Sequence, residues 1–324
     1  MTGTGGLQLF ALNATAEYGA RVAARLEVPL SPHEERAFED GEHKTRPLTD
    51  VGRRDVFVIQ SLHADAVQSV NDRLCRLLFF VGALKDAGAD RVTVVAPYLC
   101  YARKDQKTKP NDPVTTKYVA KLFEAVGADA VITLDVHNVA AFQNAFRCRT
   151  DHLEAWPLFV GHFAETARRE DVAVVSPDIG GVKRADQVRR ALAAATRREP
   201  GFAFMEKRRS GGVVSGDLLA GDVANRTAIL VDDLISTGTT LRRAARACRE
   251  AGAKRVFAAA THGLLQEGAV PVLGDPAFDG TVITDTVRSP RLVSDPAAAA
   301  AAKLTILDST GLMADAISAS HTGR

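Results

Sequence analysis

The sequence predicts an α/β protein of mainly parallel sheets flanked by helices, and two observations carry that expectation. The first is internal repetition. Ala83 to Val95 reads ALKDAGADRVTVV, Leu122 to Leu134 reads LFEAVGADAVITL, and Ala247 to Ala259 reads ACREAGAKRVFAA. Each is the end of a helix, a glycine suited to the left-handed position after it, and an apolar strand. Such steps build parallel sheets, wound right-handed with helices on both faces. The second is Ala228-Ile229-Leu230-Val231, apolar without alternation, as expected of a strand covered on both sides. The clusters of these elements fall in residues 1–151 and 152–324, which predicts two similar domains. A chain of 324 residues with 46% hydrophobic content is long enough for two ordinary cores.

Composition narrows the function classes. The formal net charge is +2, and no basic run or interleaved aromatic pattern marks a nucleic-acid surface. The pairs Arg189-Arg190, Arg197-Arg198 and Arg242-Arg243 read as solvated helix faces. Cys75, Cys100, Cys148 and Cys248 are scattered without CxxC spacing and read as reduced thiols, which points to the cytoplasm. The opening MTGTGGLQLF lacks a charged leader with an export-length apolar region, and no apolar run approaches the ~20 residues of a membrane span. The alanine run Ala297 to Ala302 is expected to form a short helix leading into a strand at Leu304-Thr305-Ile306-Leu307. The small, polar tail after Ser318 is expected to fray.

Chemistry concentrates in Thr227 to Thr240, TAILVDDLISTGTT. The apolar strand delivers Asp232 and Asp233 to its carboxyl end, where open α/β sheets bind ligands. Ser236, Thr237, Gly238, Thr239 and Thr240 follow, with amides and hydroxyls suited to a phosphate and the positive end of a helix dipole behind them. Carboxylates suit ribose hydroxyls. The order therefore predicts a site for a phosphorylated ribose. No Walker lysine follows the glycine and no GxGxxG occurs in the chain, so the common nucleotide fingerprints are absent.

This string resembles the phosphoribosyl-pyrophosphate (PRPP) loop shared by phosphoribosyltransferases and PRPP synthetases. Further motifs separate the two. Phe10 to Thr15 (FALNAT), Phe38 to Glu42 (FEDGE), Tyr98 to Asp105 (YLCYARKD), Asp135-Val136-His137, Val174 to Ala185 (VVSPDIGGVKRA) and Glu206 to Arg209 (EKRR) follow in the order of the PRPP synthetase family. The chain is identified as resembling that family, ribose-phosphate diphosphokinases, from Leu9 to about Ile317. The resemblance implies a tandem of two type I phosphoribosyltransferase-like domains and transfer of the β,γ-diphosphoryl group of ATP to the 1-hydroxyl of ribose 5-phosphate, giving PRPP and AMP.

The resemblance also implies roles. Phe38, Asp40, Gly41, Glu42, Arg103 and Lys104 would hold ATP, with Phe38 stacked on adenine and Arg103 on the phosphates, where a planar fork serves well. Asp232 and Asp233 would hold the ribose hydroxyls. Ser236, Thr237, Gly238, Thr239, Thr240 and Arg209 would hold the 5-phosphate. His137 and Asp178 would serve Mg²⁺, and Lys207, Arg209 and His137 would act in catalysis, the two cations on a mobile glycine-rich loop before Ser210-Gly211-Gly212 that closes over the nucleotide. Homodimers or hexamers are implied, without nucleic-acid or membrane partners.

Four departures stand out from the common bacterial pattern. Ser236 replaces an aspartate, Thr239 a glycine, and Lys104 the glutamine of YARQD, and the segment after Arg209 lacks a further arginine. Were positive φ required at Thr239, the residue would be strained. These changes leave open a non-catalytic regulatory paralogue like the PRPP synthetase-associated proteins, and behind it a plain phosphoribosyltransferase.

Overall fold

A computed structural model describes residues 6–210, 213–287, 300 and 303–323, with side chains left aside at 207–217. It divides into two units, Met1–Leu153 with Ser309–Arg324, and Glu154–Asp308. The first boundary lies close to the expected one. The closing segment belongs to the first unit instead of the second.

In the first unit β1 (Leu7–Ala11), β4 (Asp55–Ile59), β5 (Arg91–Ala96), β6 (Ala130–Leu134) and β7 (Arg149–Leu153) form one parallel sheet in the order β1-β4-β5-β6-β7. Helices α1 (Ala16–Leu26), α2 (Val70–Asp86), α3 (Thr115–Ala125) and α4 (Val139–Ala145) connect them. A separate two-stranded hairpin, β2 (His33–Ala37) with β3 (His43–Pro47), leaves the chain between α1 and β4. Phe10, Phe80, Phe123 and Phe142 fill one side of the core.

The second unit contains α5 (Trp156–Arg169), β8 (Val172–Ser176), α6 (Val182–Thr196), β9 (Gly201–Ser210), β10 (Val213–Gly221), β11 (Thr227–Ile235), α7 (Thr239–Glu250), β12 (Arg255–Gly263), α8 (Ala269–Leu273), β13 (Gly280–Thr284) and β14 (Leu304–Leu307). Its sheet runs β10-β9-β8-β11-β12-β13-β14, parallel except for the antiparallel edge strand β10. The strand expected at Leu304 to Leu307 is present. The alanine run before it lies outside the described residues apart from Ala300.

The repeated helix–glycine–strand steps form as expected. Gly88, Gly127 and Gly252 have φ of 88°, 90° and 86°. In each, the glycine N–H donates to a carbonyl of the last turn and the next residue reaches one carbonyl further back, as in Ala89 N to Leu84 O (3.1 Å) and Ala253 N to Cys248 O (2.9 Å). This is the double closure that lets a helix end in a tight reversal.

The tail does not fray. Helix α9 (Thr310–Thr322) buries Met313, Ala314 and Ile317. It is fixed to the first unit at both ends. Tyr18 Oη meets Ser309 Oγ at 2.9 Å and Arg25 Nε donates to Thr310 Oγ1 at 2.8 Å. At the far end His321 Nδ1 lies 2.6 Å from Asp55 Oδ2, and Arg91 Nη2 donates to the Ser320 carbonyl at 2.9 Å. Small polar composition argued for an unanchored end, and specific tertiary contacts override it. Among the described residues no helix is long and apolar enough to cross a membrane.

Candidate active site

The strand order of the second unit locates a crevice before any side chain is considered. From β8 the chain proceeds through α6 to β9 on one side, whereas from β11 it proceeds through α7 to β12 on the other. Neighbouring strands whose connections depart in opposite directions leave a gap at their carboxyl ends, where ligands bind. The sheet of the first unit steps β4-β5-β6-β7 in one direction and has no such reversal.

Both sequence motifs of this unit end at that gap. Pairing of β11 with β8 stops at Leu230 opposite Val175, while pairing with β12 continues to Ile235 opposite Gly263. Asp232 and Asp233 therefore lie in the carboxyl-terminal part of a strand that extends past β8. Asp233 is 3% exposed, so it is not the solvent-facing carboxylate that a polar strand end implies. Its N–H donates to Asp232 Oδ1 at 2.8 Å. Burial, then the charge of Asp233, push the Asp232 carboxyl well above the usual carboxylate range, and the guanidinium of Arg184 opposes them. Arg184 Nη1 lies 3.9 Å from Asp232 Oδ1 and 3.6 Å from Asp233 Oδ1. Sequence reasoning quoted Arg184 inside a motif and gave it no role. Its signal was its place in the first turn of the helix that follows Gly180-Gly181.

The loop after the aspartates leads into an open helix start. Gly238, with φ of 76°, occupies the position before α7, and no side chain caps that helix start. The amides of the first turn thus lack an intrahelical acceptor and face outward. Thr239 is the first helical residue and is not among the positive-φ positions, so its replacement of glycine carries no strain. The Thr237 and Thr239 hydroxyls lie 3.1 Å apart, both residues exposed. Ser236 anchors the loop from behind, its carbonyl accepting from Gln266 N at 2.9 Å.

Opposite lies the turn after β8. Ser176 Oγ donates to the Asp178 carbonyl at 2.6 Å, and Asp178 Oδ1 accepts from Gly181 N at 2.9 Å. A Cβ on Gly181 would stand 2.7 Å from Ser176 Oγ, so glycine is required for this close approach. Asp178 itself stays exposed.

The segment bearing Lys207 and Arg209 differs from the expected loop. Strand β9 continues to Ser210 and pairs with β10, Lys207 opposite Asp217 and Arg209 opposite Val214, with an irregularity between Val214 and Gly216. The ladder hydrogen bonds of a hairpin hold this backbone, which a glycine count alone does not reveal. Gly211 and Gly212 lie outside the described residues.

In the first unit the segments expected to hold ATP form two features. Phe38 to Glu42 is the β2–β3 turn, closed by Phe38 N to Glu42 O (2.8 Å), with Gly41 at φ of 92° and Asp40 Oδ1 accepting from Glu42 N at 3.0 Å. Phe38 is 41% exposed, and the Arg36 guanidinium lies 5.1 Å from its ring centroid. The other feature follows the adjacent strands β5 and β6. Asn138 caps α4 through Ala141 N and donates from Nδ2 to Asp105 Oδ2 at 2.7 Å, which joins the Arg103 segment to the His137 segment. Arg103 and His137 are both exposed there, and Asp135 has φ of 38°. Lys104, in the same segment, donates from Nζ to Asp112 Oδ2 at 2.6 Å.

The comparisons follow this geometry. The family model described as the N-terminal domain of ribose phosphate pyrophosphokinase matches residues 7–127. The model of the phosphoribosyl synthetase-associated domain matches residues 215–324. The ribose-phosphate pyrophosphokinase of Pasteurella multocida is 38% identical over 313 residues, 96% of this chain and 95% of its own. The chain belongs to the ribose-phosphate pyrophosphokinase family. The Clostridium perfringens relative of the same description is 38% identical over 287 residues, 88% of this chain and 86% of that one. The crystal structure of phosphoribosylpyrophosphate synthetase from Mycobacterium smegmatis superposes with a TM-score of 0.87 at 34% identity, covering 98% of this chain and all of the other. As an enzyme of the ribose-phosphate pyrophosphokinase family, the chain carries the Phe38 to Glu42 turn in its first unit and the Asp232 to Thr240 segment in its second.

Proposed function

We propose that this enzyme transfers the diphosphoryl group of MgATP to the 1-hydroxyl of ribose 5-phosphate, yielding PRPP and AMP. The observation that carries the reading is the switch-point crevice, where a carboxylate pair precedes an uncapped helix start across from the Asp178 turn. A 5-phosphate bound by the amides and hydroxyls of Ser236 to Thr240 leaves its ribose beside Asp232 and Asp233. Phe38, Asp40, Gly41 and Glu42 hold the adenosine, and Arg103, with His137 near it, engages the phosphates. In the reaction the sugar's O1 bonds to the β-phosphorus while the bond to the α,β-bridging oxygen breaks, and AMP departs with that oxygen. Lys207 and Arg209 meet the charge that develops on the transferred group.

The residues also fit a divalent cation. Among the described residues no group of three His, Cys, Asp or Glu side chains forms a ready-made metal cage. Mg²⁺ does not need one, since it is commonly held by one or two carboxylates, substrate phosphates and water. The exposed Asp178 carboxylate, oriented by Gly181 N–H, supplies such an oxygen, and His137 would contact phosphate or a metal-bound water. When bound, the ion neutralises phosphate charge and holds the diphosphoryl group for in-line displacement.

The decisive assay incubates the purified protein with ATP, MgCl₂ and ribose 5-phosphate and follows AMP and PRPP. Equal amounts of both, dependent on the sugar phosphate, are expected. ATP consumption giving ADP, or none at all, would overturn the reading. The same proposal places the enzyme in the cytoplasm as a homodimer or hexamer, which light scattering on the purified protein distinguishes from a monomer.

A further inference from the structure

The β2–β3 hairpin is a two-stranded sheet of its own, with no ladder to the main sheet of its unit. Two strands alone are marginal in water. The aim of its turn therefore depends on what fixes its base. Glu35 on β2 lies just before Phe38, and its side chain is 4% exposed. One carboxylate oxygen accepts from Asn13 N at 2.5 Å, at the end of β1, and meets His33 Nε2 at 3.0 Å. The other faces Arg76 Nη1 of α2 at 3.6 Å, whose side chain is 9% exposed. Burial raises the Glu35 pKa, but the hydrogen bonds from His33 and Asn13 and the charges of His33 and Arg76 outweigh it, so the net shift is downward and the carboxylate stays ionised. On the other strand His43 stacks on Phe79 of α2, with ring centroids 5.4 Å apart.

We propose that Glu35 is a positioning residue for the nucleotide. Through Asn13 and Arg76 it locks the hairpin to β1 and α2 and so aims the Phe38–Glu42 turn. A buried carboxylate shared by a backbone amide, a histidine and an arginine from three elements is costly to desolvate, and core stability alone would be served as well by apolar residues of similar volume. What the charged arrangement adds is direction. Hydrogen bonds and charges fix the hairpin in one orientation, whereas apolar contact lets it slide. This inference rests on the reading of Phe38 to Glu42 as the adenosine site.

The test compares wild type, Phe38→Ala, Glu35→Gln, Arg76→Gln, the Glu35→Gln/Arg76→Gln double variant and the milder Glu35→Asp. The readouts are KM for ATP, KM for ribose 5-phosphate, kcat and Tm. A displaced turn costs on the order of 10- to 100-fold. Glu35→Gln and Arg76→Gln are each expected to raise KM for ATP by that factor and leave KM for ribose 5-phosphate unchanged. The double variant should be no worse than either alone, because both remove one coupled contact. Glu35→Asp, which keeps the charge and folds if the others do not, should fall between. A lowered Tm with unchanged KM for ATP, or an equal rise in both KM values, overturns the proposal and leaves a structural ion pair. A wild-type enzyme that makes no AMP, or Phe38→Ala with unaltered KM for ATP, refutes the functional reading itself and this inference with it. Those controls separate the two failures.

Discussion

The guanidinium of Arg184 faces both members of the adjacent pair, 3.6 Å from Asp233 and 3.9 Å from Asp232. It opposes burial and the neighbouring carboxylate, which push the Asp232 pKa upward. A helix that starts at a glycine-rich turn thus supplies the charge that lets a strand carry two successive acids into a crevice.

Arg184→Gln is expected to damage sugar binding from the acid side. The pKa of Asp232 is raised in the folded enzyme, so on lowering pH this group takes up its proton before an ordinary carboxyl does. Removing the opposing cation raises the pKa further. If ionised Asp232 holds the ribose hydroxyls, KM for ribose 5-phosphate in the variant should rise more at about pH 6 than at about pH 8. Stability has the matching sign. A carboxyl with a raised folded pKa binds its proton more tightly folded than unfolded, so stability falls as pH rises from the unfolded value through the folded one. The variant should show a larger total fall that extends to higher pH. Parallel pH profiles of KM would expose a role confined to packing.

Asp232→Asn and Asp233→Asn, made separately, should each raise KM for ribose 5-phosphate more than KM for ATP. The buried Asp233 has the additional task of balancing Arg184, so Asp233→Asn should also destabilise the fold by about 1–3 kcal/mol, read as a lower Tm. If ATP affinity falls while sugar affinity holds, the two substrates have been placed on the wrong motifs.

What the sequence made legible was local. The helix–glycine–strand repeats were readable because the glycine, the last helical turn and the following strand lie within a few residues, and Gly88, Gly127 and Gly252 all adopt the left-handed conformation. The loop at Gly238 was readable for the same reason. Features set by distant partners were not. The alternating charges of HEERA and HKTRP gave no strand signal, because that hairpin takes its support from α2 and Asn13. Two acids at a strand end look polar, yet Asp233 is buried, with Arg184 of α6 facing its carboxylate. The last helix looked loose because its polar atoms find Asp55, Arg91 and Tyr18, all far away in sequence.

Lys207→Ala should lower kcat sharply while nucleotide affinity stays nearly constant. The strand that carries it continues past Met205 and pairs with β10, so its backbone has a laddered base beside the crevice strand β8. Loss of one group acting mainly in the transition state costs about 2.7–4 kcal/mol. Unchanged single-turnover rates with saturating substrates would remove Lys207 from the mechanism.

Lys104→Gln restores the family's more common residue and should act on the loop more than on ATP. Asp112 Oδ2 accepts from Lys104 Nζ at 2.6 Å, Thr108 Oγ1 at 2.7 Å, Thr108 N at 2.9 Å and Lys109 N at 3.0 Å. Lys104 is the leading cause that holds the Asp112 carboxyl below the usual range. Glutamine removes the charge from this contact, so the amides of Thr108 and Lys109 should exchange hydrogen faster while KM for ATP changes by less than about threefold. A tenfold rise in that KM would keep Lys104 among the residues that hold ATP.

The last prediction concerns the two departures in the phosphate loop. Since Gly238 already takes the left-handed position and Thr239 starts the helix, the loop meets its conformational demand without a second glycine. Thr239→Gly then gains nothing sterically. It removes a hydroxyl 3.1 Å from that of Thr237 and adds flexibility, for a cost of roughly 0.5–1 kcal/mol. Ser236→Asp places a carboxylate in the loop that holds the dianionic 5-phosphate, where like charges repel. Weaker ribose 5-phosphate binding is expected from Ser236→Asp, and unchanged or slightly lower activity from Thr239→Gly, both by steady-state kinetics. Tighter binding in the first together with a several-fold gain in the second would mark the native loop as a degraded site, and the catalytic reading of this crevice would fail with it.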